Sequence, residues 1–352
     1  MRILAIETSC DETAAAILTN DDTSSPIILA QTVASSLSLH AKTGGIIPDI
    51  AAREQVRYML PMLKETIDKA ANEQVIDASK FIKSEIDAIA VTTGPGLIGS
   101  LLVGIETAKT LAFVCKKPLI PVNHLFGHIY ANWLSVDHEL NKKKEIPFPA
   151  IALVVSGGHT DLVLMNSHTN IKVIGGTRDD AAGEAFDKIG RLLGLPYPAG
   201  AAVAKLAEKG NPKAYSFPRP LIGSPDFDFS FSGLKAAVMR EVKTIKQLDD
   251  DIVANISASV QYVIVDVLVK KTIKAAREYQ AKSILLGGGV AANERLRQQM
   301  EINARQPDIN AQLFVPPAQL CTDNAAMIGA AAFYHTKTVP LHEVTAVPDL
   351  YY

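Results

Sequence analysis

Two histidines stand four residues apart in His124-Leu125-Phe126-Gly127-His128. On a helix this spacing sets both imidazoles on one face, with Cβ atoms about 5–6 Å apart. That suits a two-point metal clamp, which still needs a third ligand from elsewhere; alone, such a pair is more often coincidence. Asp323, in Cys321-Thr322-Asp323-Asn324, is one candidate for the third ligand, with an ordinary helix N-cap as its alternative role. A zinc protease of the His-Glu type carries its general base directly after the first histidine, and this chain has Leu125 there. A hydrolytic zinc protease is therefore disfavoured. Two histidines and a carboxylate with open positions suit one divalent metal, Fe(II) ahead of Zn, bound as an electrophile.

Glycines point to a second kind of chemistry. Three glycine-bearing turns follow strand-like runs or open helical ones: Thr93-Gly94-Pro95-Gly96-Leu97-Ile98-Gly99, Val155-Ser156-Gly157-Gly158-His159 and Leu286-Gly287-Gly288-Gly289-Val290-Ala291-Ala292-Asn293. Glycine lets backbone N–H groups approach a phosphate, and a helix N-terminus behind the turn adds partial positive charge. Each loop alone reads equally well as a tight turn. Three together, with no P-loop pattern, favour a nucleotide held between lobes by backbone loops. Asn293 opens a helical run and reads either as its N-cap or as a contact to a base or ribose. Asp187 lies too far into the helical run from Asp180 for the helix dipole to explain it.

The elements that must position these residues follow from periodicity. Segments 2–18 and 150–165 share one layout, two strand runs around a short turn, so a hairpin is used twice. Helical periodicity covers 51–70, 99–114, 180–193, 251–279 and 324–333, and short buried strands are expected at 86–92 and 283–286. This is an α/β chain with mixed sheets. The polar interval 137–149, with Lys142, Lys143 and Lys144, marks a lobe boundary. The expected lobes are 1–135, with 325–352 packing back on it, and 136–324. The lysine triplet reads as a solvated loop.

A chain of 352 residues, 48% hydrophobic and 20% charged, can bury real cores. Lys+Arg 35 against Asp+Glu 37 leaves a net charge of -2, so any nucleic-acid contact must come from a local patch. Three scattered cysteines fit a reducing compartment, and Cys10 and Cys321 read as packed thiols. The apolar stretches 96–115 and 252–269 are broken by Glu106 and Lys109, and by Asn255, Gln261 and Asp266, so no membrane span is expected. The N-terminus runs straight into a strand pattern without a signal-peptide layout, and a cytosolic location is expected.

Nine motifs then occur in order: Ile6 to Thr13, His40 to Pro48, Gly94 to Leu97, His124 to His128, Val155 to Thr160, Asp179 to Lys188, Phe229 to Lys235, Gly287 to Asn293 and Cys321 to Asn324. With them the chain resembles, over nearly its whole length, the bacterial branch of the tRNA N6-adenosine threonylcarbamoyltransferases, a universal family once misnamed O-sialoglycoprotein endopeptidase. The resemblance implies a two-lobed actin-like, sugar-kinase-like ATPase fold with a nucleotide in the cleft between duplicated lobes. It implies His124, His128 and Asp323 as metal ligands. It implies Val154, Val155, Ser156, Gly157, Gly158, Asp187, Gly200 and Asn293 as contacts to Mg-ATP or threonylcarbamoyl-AMP. It also implies transfer of a threonylcarbamoyl group to adenosine 37 of tRNAs reading codons that begin with A. The donor is made by a separate threonylcarbamoyl-AMP synthase, and a paralogous dimerisation partner and a small P-loop ATPase assist. Two departures stand out. Pro198-Ala199-Gly200-Ala201 replaces a Pro-Gly-Gly-Pro run, and Gln55 stands where the family has a second histidine, so no metal role falls to position 55. No covalent nucleophile is assigned. A small-molecule kinase of the same superfold lacks a reason for the histidine pair, and a non-catalytic scaffold lacks a reason for the full ligand set.

Overall fold

The computed structural model describes residues 1–20, 25–72, 77–135 and 145–352; Lys142 to Lys144 lie outside the described residues. The chain forms two compact units, one of Met1–Glu145 with Thr322–Tyr352, the other of Ile146–Cys321. The sequence-based boundaries at 135/136 and 324/325 differ from these divisions. The C-terminal one matters chemically, because Asp323 shares a unit with His124 and His128.

The first unit opens with β1 (Arg2–Glu7), β2 (Glu12–Thr19) and β3 (Ile27–Ser35), then α1 (Leu37–Thr43), α2 (Pro48–Ala70) and α3 (Ala78–Glu85). It continues with β4 (Ala88–Gly94), α4 (Ile98–Cys115), β5 (Leu119–Asn123) and α5 (His124–Tyr130). The second unit holds β6 (Ala150–Val155), β7 (Thr160–Met165), β8 (Ile171–Gly176), α6 (Ala182–Leu192), α7 (Gly200–Ala207) and α8 (Ser232–Thr244). After these come α9 (Asp250–Glu278), β9 (Ser283–Gly287), α10 (Glu294–Ala304) and β10 (Gln312–Phe314), and α11 (Ala325–Tyr334) returns to the first unit.

The sheets have the same plan: β3-β2-β1-β4-β5 in one and, in the same sense, β8-β7-β6-β9-β10 in the other. In each, the first three strands are antiparallel and the last two add in parallel. The strands legible in the sequence, β1, β2, β4, β6, β7 and β9, are the central ones; β3, β5, β8 and β10 are the margins. A central strand is covered on both faces and reads as a continuous apolar run, whereas a margin strand carries half-buried polar positions or, in β5, Pro121.

Side chains alternate across the first sheet as a pleat demands. Leu4, Ile6, Ala15 and Ile17 pack with Met59, Leu63 and Ile67 of α2 and Leu101 and Ile105 of α4. Leu18 meets α11 at Gly329, where a Cβ would collide with it. In the second unit α9 is the central helix, started by Asp249, whose carboxylate accepts from Ile252 N–H at 2.8 Å. Both α4 and α9 are long and apolar enough to cross a membrane by length and composition. The apolar length of α9 is spent on the second unit's core, where Ile256, Val260, Ile264, Val267 and Leu268 are fully buried.

Candidate metal centre and nucleotide loops

Asn123 caps α5 by accepting from Leu125 N–H at 2.8 Å, so the helix begins at His124 and both histidines project from one face. Their rings lie 4.7 Å apart, edge to face. The third group comes from the turn before α11. There the N-cap is Asn324, which accepts from Met327 N–H at 3.0 Å, and this leaves Asp323 free of that duty. Asp323 Oδ1 lies 3.4 Å from His124 Nε2 and 3.3 Å from His128 Nε2. Gly127 permits the approach: a Cβ there would sit 2.9 Å from Ile328 Cδ1 and 3.1 Å from Met327 Cγ of α11.

The β1–β2 turn supplies the surroundings. Glu7 is fully buried and accepts from Ser9 N–H at 2.5 Å, from the Thr92 hydroxyl, and from His124 Nδ1 at 3.2 Å. Gln55 donates to the carbonyls of Cys10 at 2.9 Å and Glu12 at 3.1 Å, and Ser100 donates to Cys10 O at 3.0 Å. Gln55 thus pins the acidic turn. Burial and the Asp323, Asp11 and Glu7 carboxylates push Glu12 up to about 10. Burial disfavours a charged His124, yet Asp323 and Glu7 outweigh it and raise its pKa well above the usual value. At His128 burial prevails and lowers it. Burial likewise pushes Asp323 upward but is overcome by His124 and His128, which hold the carboxyl well below the ordinary range. Carboxylates outnumber cationic groups around the two rings, and the cluster favours added positive charge.

The donor set fits one metal ion. One ligand atom from each of His124, His128 and Asp323 lies within 4.8 Å of the others, and among the described residues Nδ1 of buried His128 meets no hydrogen-bond partner while Nε2 has only Asp323 Oδ1, at 3.3 Å. Unsatisfied buried imidazole nitrogens are costly unless something binds them. The position after His124 holds Leu125, a fully buried core side chain and not a general base.

In the second unit, the Ser156–Gly158 loop leaves β6 at its carboxyl end. Ser156 Oγ accepts from Gly158 N–H at 3.3 Å and His159 N–H at 3.2 Å, and Cβ atoms on Gly157 or Gly158 would meet nothing within 4 Å. The start of α6 docks on this loop: Gly183 N–H reaches Ser156 O at 3.1 Å, and a Cβ on Gly183 would strike that carbonyl. Val154 and Val155 are buried strand residues, so only their backbone can serve a ligand. Asp187, on α6, accepts at Oδ1 from Ala199 N–H at 2.8 Å and Gly200 N–H at 3.0 Å, fastening the altered Pro198–Ala201 turn, and burial raises its pKa. Gly288 packs on Val155 O, whereas Gly289 faces open space. Asn293 is the N-cap of α10, accepting from Leu296 N–H at 3.0 Å, and its Nδ2 donates to Gln261 at 2.8 Å. Asn293 is thus the N-cap, and one Nδ2 hydrogen stays available beside the bond to Gln261. The Gly94–Gly96 turn is a packing feature: Gly96 N–H bonds Pro348 O at 3.1 Å, Leu97 N–H bonds Ser9 O at 2.8 Å, and a Cβ on Gly94 would collide with Val347 O.

The family model for tRNA N6-adenosine threonylcarbamoyltransferase matches residues 27–330. The chain is 47% identical over 352 residues to a protein of that name from Moorella thermoacetica, covering 99% of this chain and 96% of that one. It is 49% identical over 333 residues to one from Anoxybacillus flavithermus, covering 94% and 91%. The chain belongs to the tRNA N6-adenosine threonylcarbamoyltransferase family. It is a transferase that acts on tRNA. The structure of HypF from T. kodakarensis aligns with a TM-score of 0.57 at 13% identity over 94% of this chain and 47% of that one, which bears on the fold alone and agrees with the actin-like, sugar-kinase-like class.

The transferase's motifs also bind one another in ways that sequence reasoning missed. Asp179 accepts from the hydroxyls of Ser230 at 2.5 Å and Ser232 at 2.6 Å and from the N–H groups of Phe231 at 2.8 Å and Ser232 at 3.1 Å. It fastens the start of α8 to the segment leading into α6. His40 is fully buried, paired with Ser36 Oγ at 3.1 Å and accepting from Ile47 N–H at 3.3 Å, so it ties α1 to the start of α2. Cys321 is a packed thiol touched by Arg297 at 3.2 Å. Asp179 and Gln55, whose partners lie more than forty residues away, leave no local signal; His40 bonds nearby, to Ser36 and Ile47.

Proposed function

We propose that this transferase moves the threonylcarbamoyl group from threonylcarbamoyl-adenylate to N6 of adenosine 37 in tRNAs reading codons that begin with A, and that it depends on a divalent metal. The observation that carries this reading is the convergence of His124, His128 and Asp323 in a chain of this family. The adenine amine attacks the donor's activated carbonyl, an N–C bond forms, the C–O bond to the phosphate of AMP breaks, and the amine loses one proton. The amine is a weak nucleophile, so positioning and charge stabilisation supply much of the acceleration.

His124 and His128 through Nε2 and Asp323 through its carboxylate would hold the ion, and two histidines with one carboxylate favour Fe(II) over Zn. When bound, it supplies positive charge that anchors or polarises a phosphate or carbonyl oxygen. The open glycines of Ser156–Gly158, with Asp187 and the Gly200 turn, hold the nucleotide as Mg-ATP or threonylcarbamoyl-AMP; Asn293 supports the adjoining turn. We assign the protein to the cytoplasm, with a paralogous dimerisation partner, a small P-loop ATPase and a separate donor synthase. The test is mass-spectrometric nucleoside analysis of unmodified tRNA after incubation with threonylcarbamoyl-adenylate, this protein and its cognate assisting proteins. Threonylcarbamoyladenosine that disappears with His124→Ala is expected. No product from a system whose donor and assisting proteins are intact would replace this reading with the scaffold.

A further inference from the structure

Glu7 is a buried carboxylate whose polar contacts, among the described residues, include no lysine or arginine. Its oxygens are divided between donors of different kinds. Oε1 takes Ser9 N–H at 2.5 Å, a main-chain group that can only donate. Oε2 takes the Thr92 hydroxyl and lies 3.2 Å from His124 Nδ1. A carboxylate facing Nδ1 requires a ring proton there, so in the neutral ring that a metal needs the lone pair sits on Nε2, the nitrogen that faces Asp323.

We propose that Glu7 is a positioning residue for the metal centre, holding His124 in the orientation and tautomer that present Nε2 as a ligand. The inference rests on the metal-dependent reading above. Metal-bound histidines generally donate their second N–H to such a group, and losing it typically weakens metal affinity about 10–100-fold.

The geometry makes Glu7→Gln a sharp probe. An amide has one acceptor oxygen and one NH2 group. Placing NH2 at the Oε1 position sets it against Ser9 N–H, two donors face to face. The tolerable alternative sets NH2 toward Thr92 and His124, both of which can accept. His124 then accepts at Nδ1 and carries its proton on Nε2, the wrong nitrogen for the site. Thr92→Val is a milder probe, removing one donor that fixes Oε2 while Glu7 stays.

The test uses Zn(II) alone as the probe, with affinity measured by chelator competition on the full chain and histidine 15N NMR of the zinc-loaded protein. The wild type should bind one zinc, with His124 protonated at Nδ1 and ligating through Nε2. Glu7→Gln should bind about 10–100-fold more weakly, and Thr92→Val several-fold more weakly. A buried carboxylate with a merely structural role would lower the melting temperature of the metal-free protein and leave zinc affinity alone. Unchanged affinity in folded Glu7→Gln overturns the proposal; should that variant not fold, unchanged affinity in Thr92→Val does so. Absence of zinc binding by the wild type overturns the metal reading itself.

Discussion

At the scale of single residues, the site is built from groups kept free of competing duties. Asp323 is available because Asn324 does the capping, and Gln55 pins the acidic turn through three carbonyls that its Nε2 can reach together. Asp179 shows the opposite design, a carboxylate saturated with donors. Burial would raise its pKa, but the hydroxyls and N–H groups at 230–232 outweigh it and hold the value at about 2, below the usual 3.8. A depressed folded-state pKa contributes stability that is fully present above the unfolded value and lost as pH falls through the folded one. The stability difference between wild type and Asp179→Asn should therefore be constant above about pH 5 and vanish as pH falls from about 4 through 2. Its size should be about 1 kcal/mol, because the group is largely exposed and screened. Acid-dependent denaturant titrations of both proteins check this, and a pH-independent difference would remove the charge from the explanation.

At the scale of elements, glycines set how closely helices and loops approach. Gly127 and Gly183 serve different neighbours. A Cβ on Gly127 meets side-chain atoms of Ile328 and Met327 that can shift, whereas one on Gly183 meets the fixed carbonyl of Ser156. Gly183→Ala should cost about 1–3 kcal/mol as overpacking against backbone. Gly127→Ala should stay within about 1 kcal/mol of wild type, since the helix-propensity gain of roughly 1 kcal/mol offsets the repacking. Equilibrium unfolding of the two variants decides, and equal costs would mean that the Ser156 loop yields as readily as a side chain.

At the scale of the whole molecule, the first unit is completed by residues from the far end of the chain. Val347 N–H bonds Thr93 O at 2.8 Å, Pro348 O accepts from Gly96 N–H, Asn123 Nδ2 reaches Tyr351 O at 3.3 Å, and Tyr352 packs edge-on against Phe126 at 5.7 Å. Phe126 lies between the two candidate ligands on α5, so this terminal segment braces the helix that carries them. Removing residues 346–352 should lower the unfolding midpoint of the first unit by on the order of 5–10 °C, from a loss of about 2–3 kcal/mol. The single tryptophan, Trp133, is buried in that unit, so its fluorescence reports the midpoint directly. An unchanged midpoint would make the segment a passenger.

The sequence by itself determined the central strands, the long helices, the spacing of the histidine pair and the family, because each is written in local periodicity or in motif identity. His124 and His128 are legible together since one helix turn relates them. Only the tertiary structure decided which glycines are open to a ligand and which are closed by packing, as Gly157 and Gly94 show. It alone joined Glu7 to His124 across 117 residues and Asp179 to the start of α8, and it set Asn293 Nδ2 on Gln261. The physical reason is that a buried polar group must find its hydrogen bonds wherever the fold brings donors and acceptors together. That accounting closes in three dimensions, between residues whose separation along the chain carries no signal.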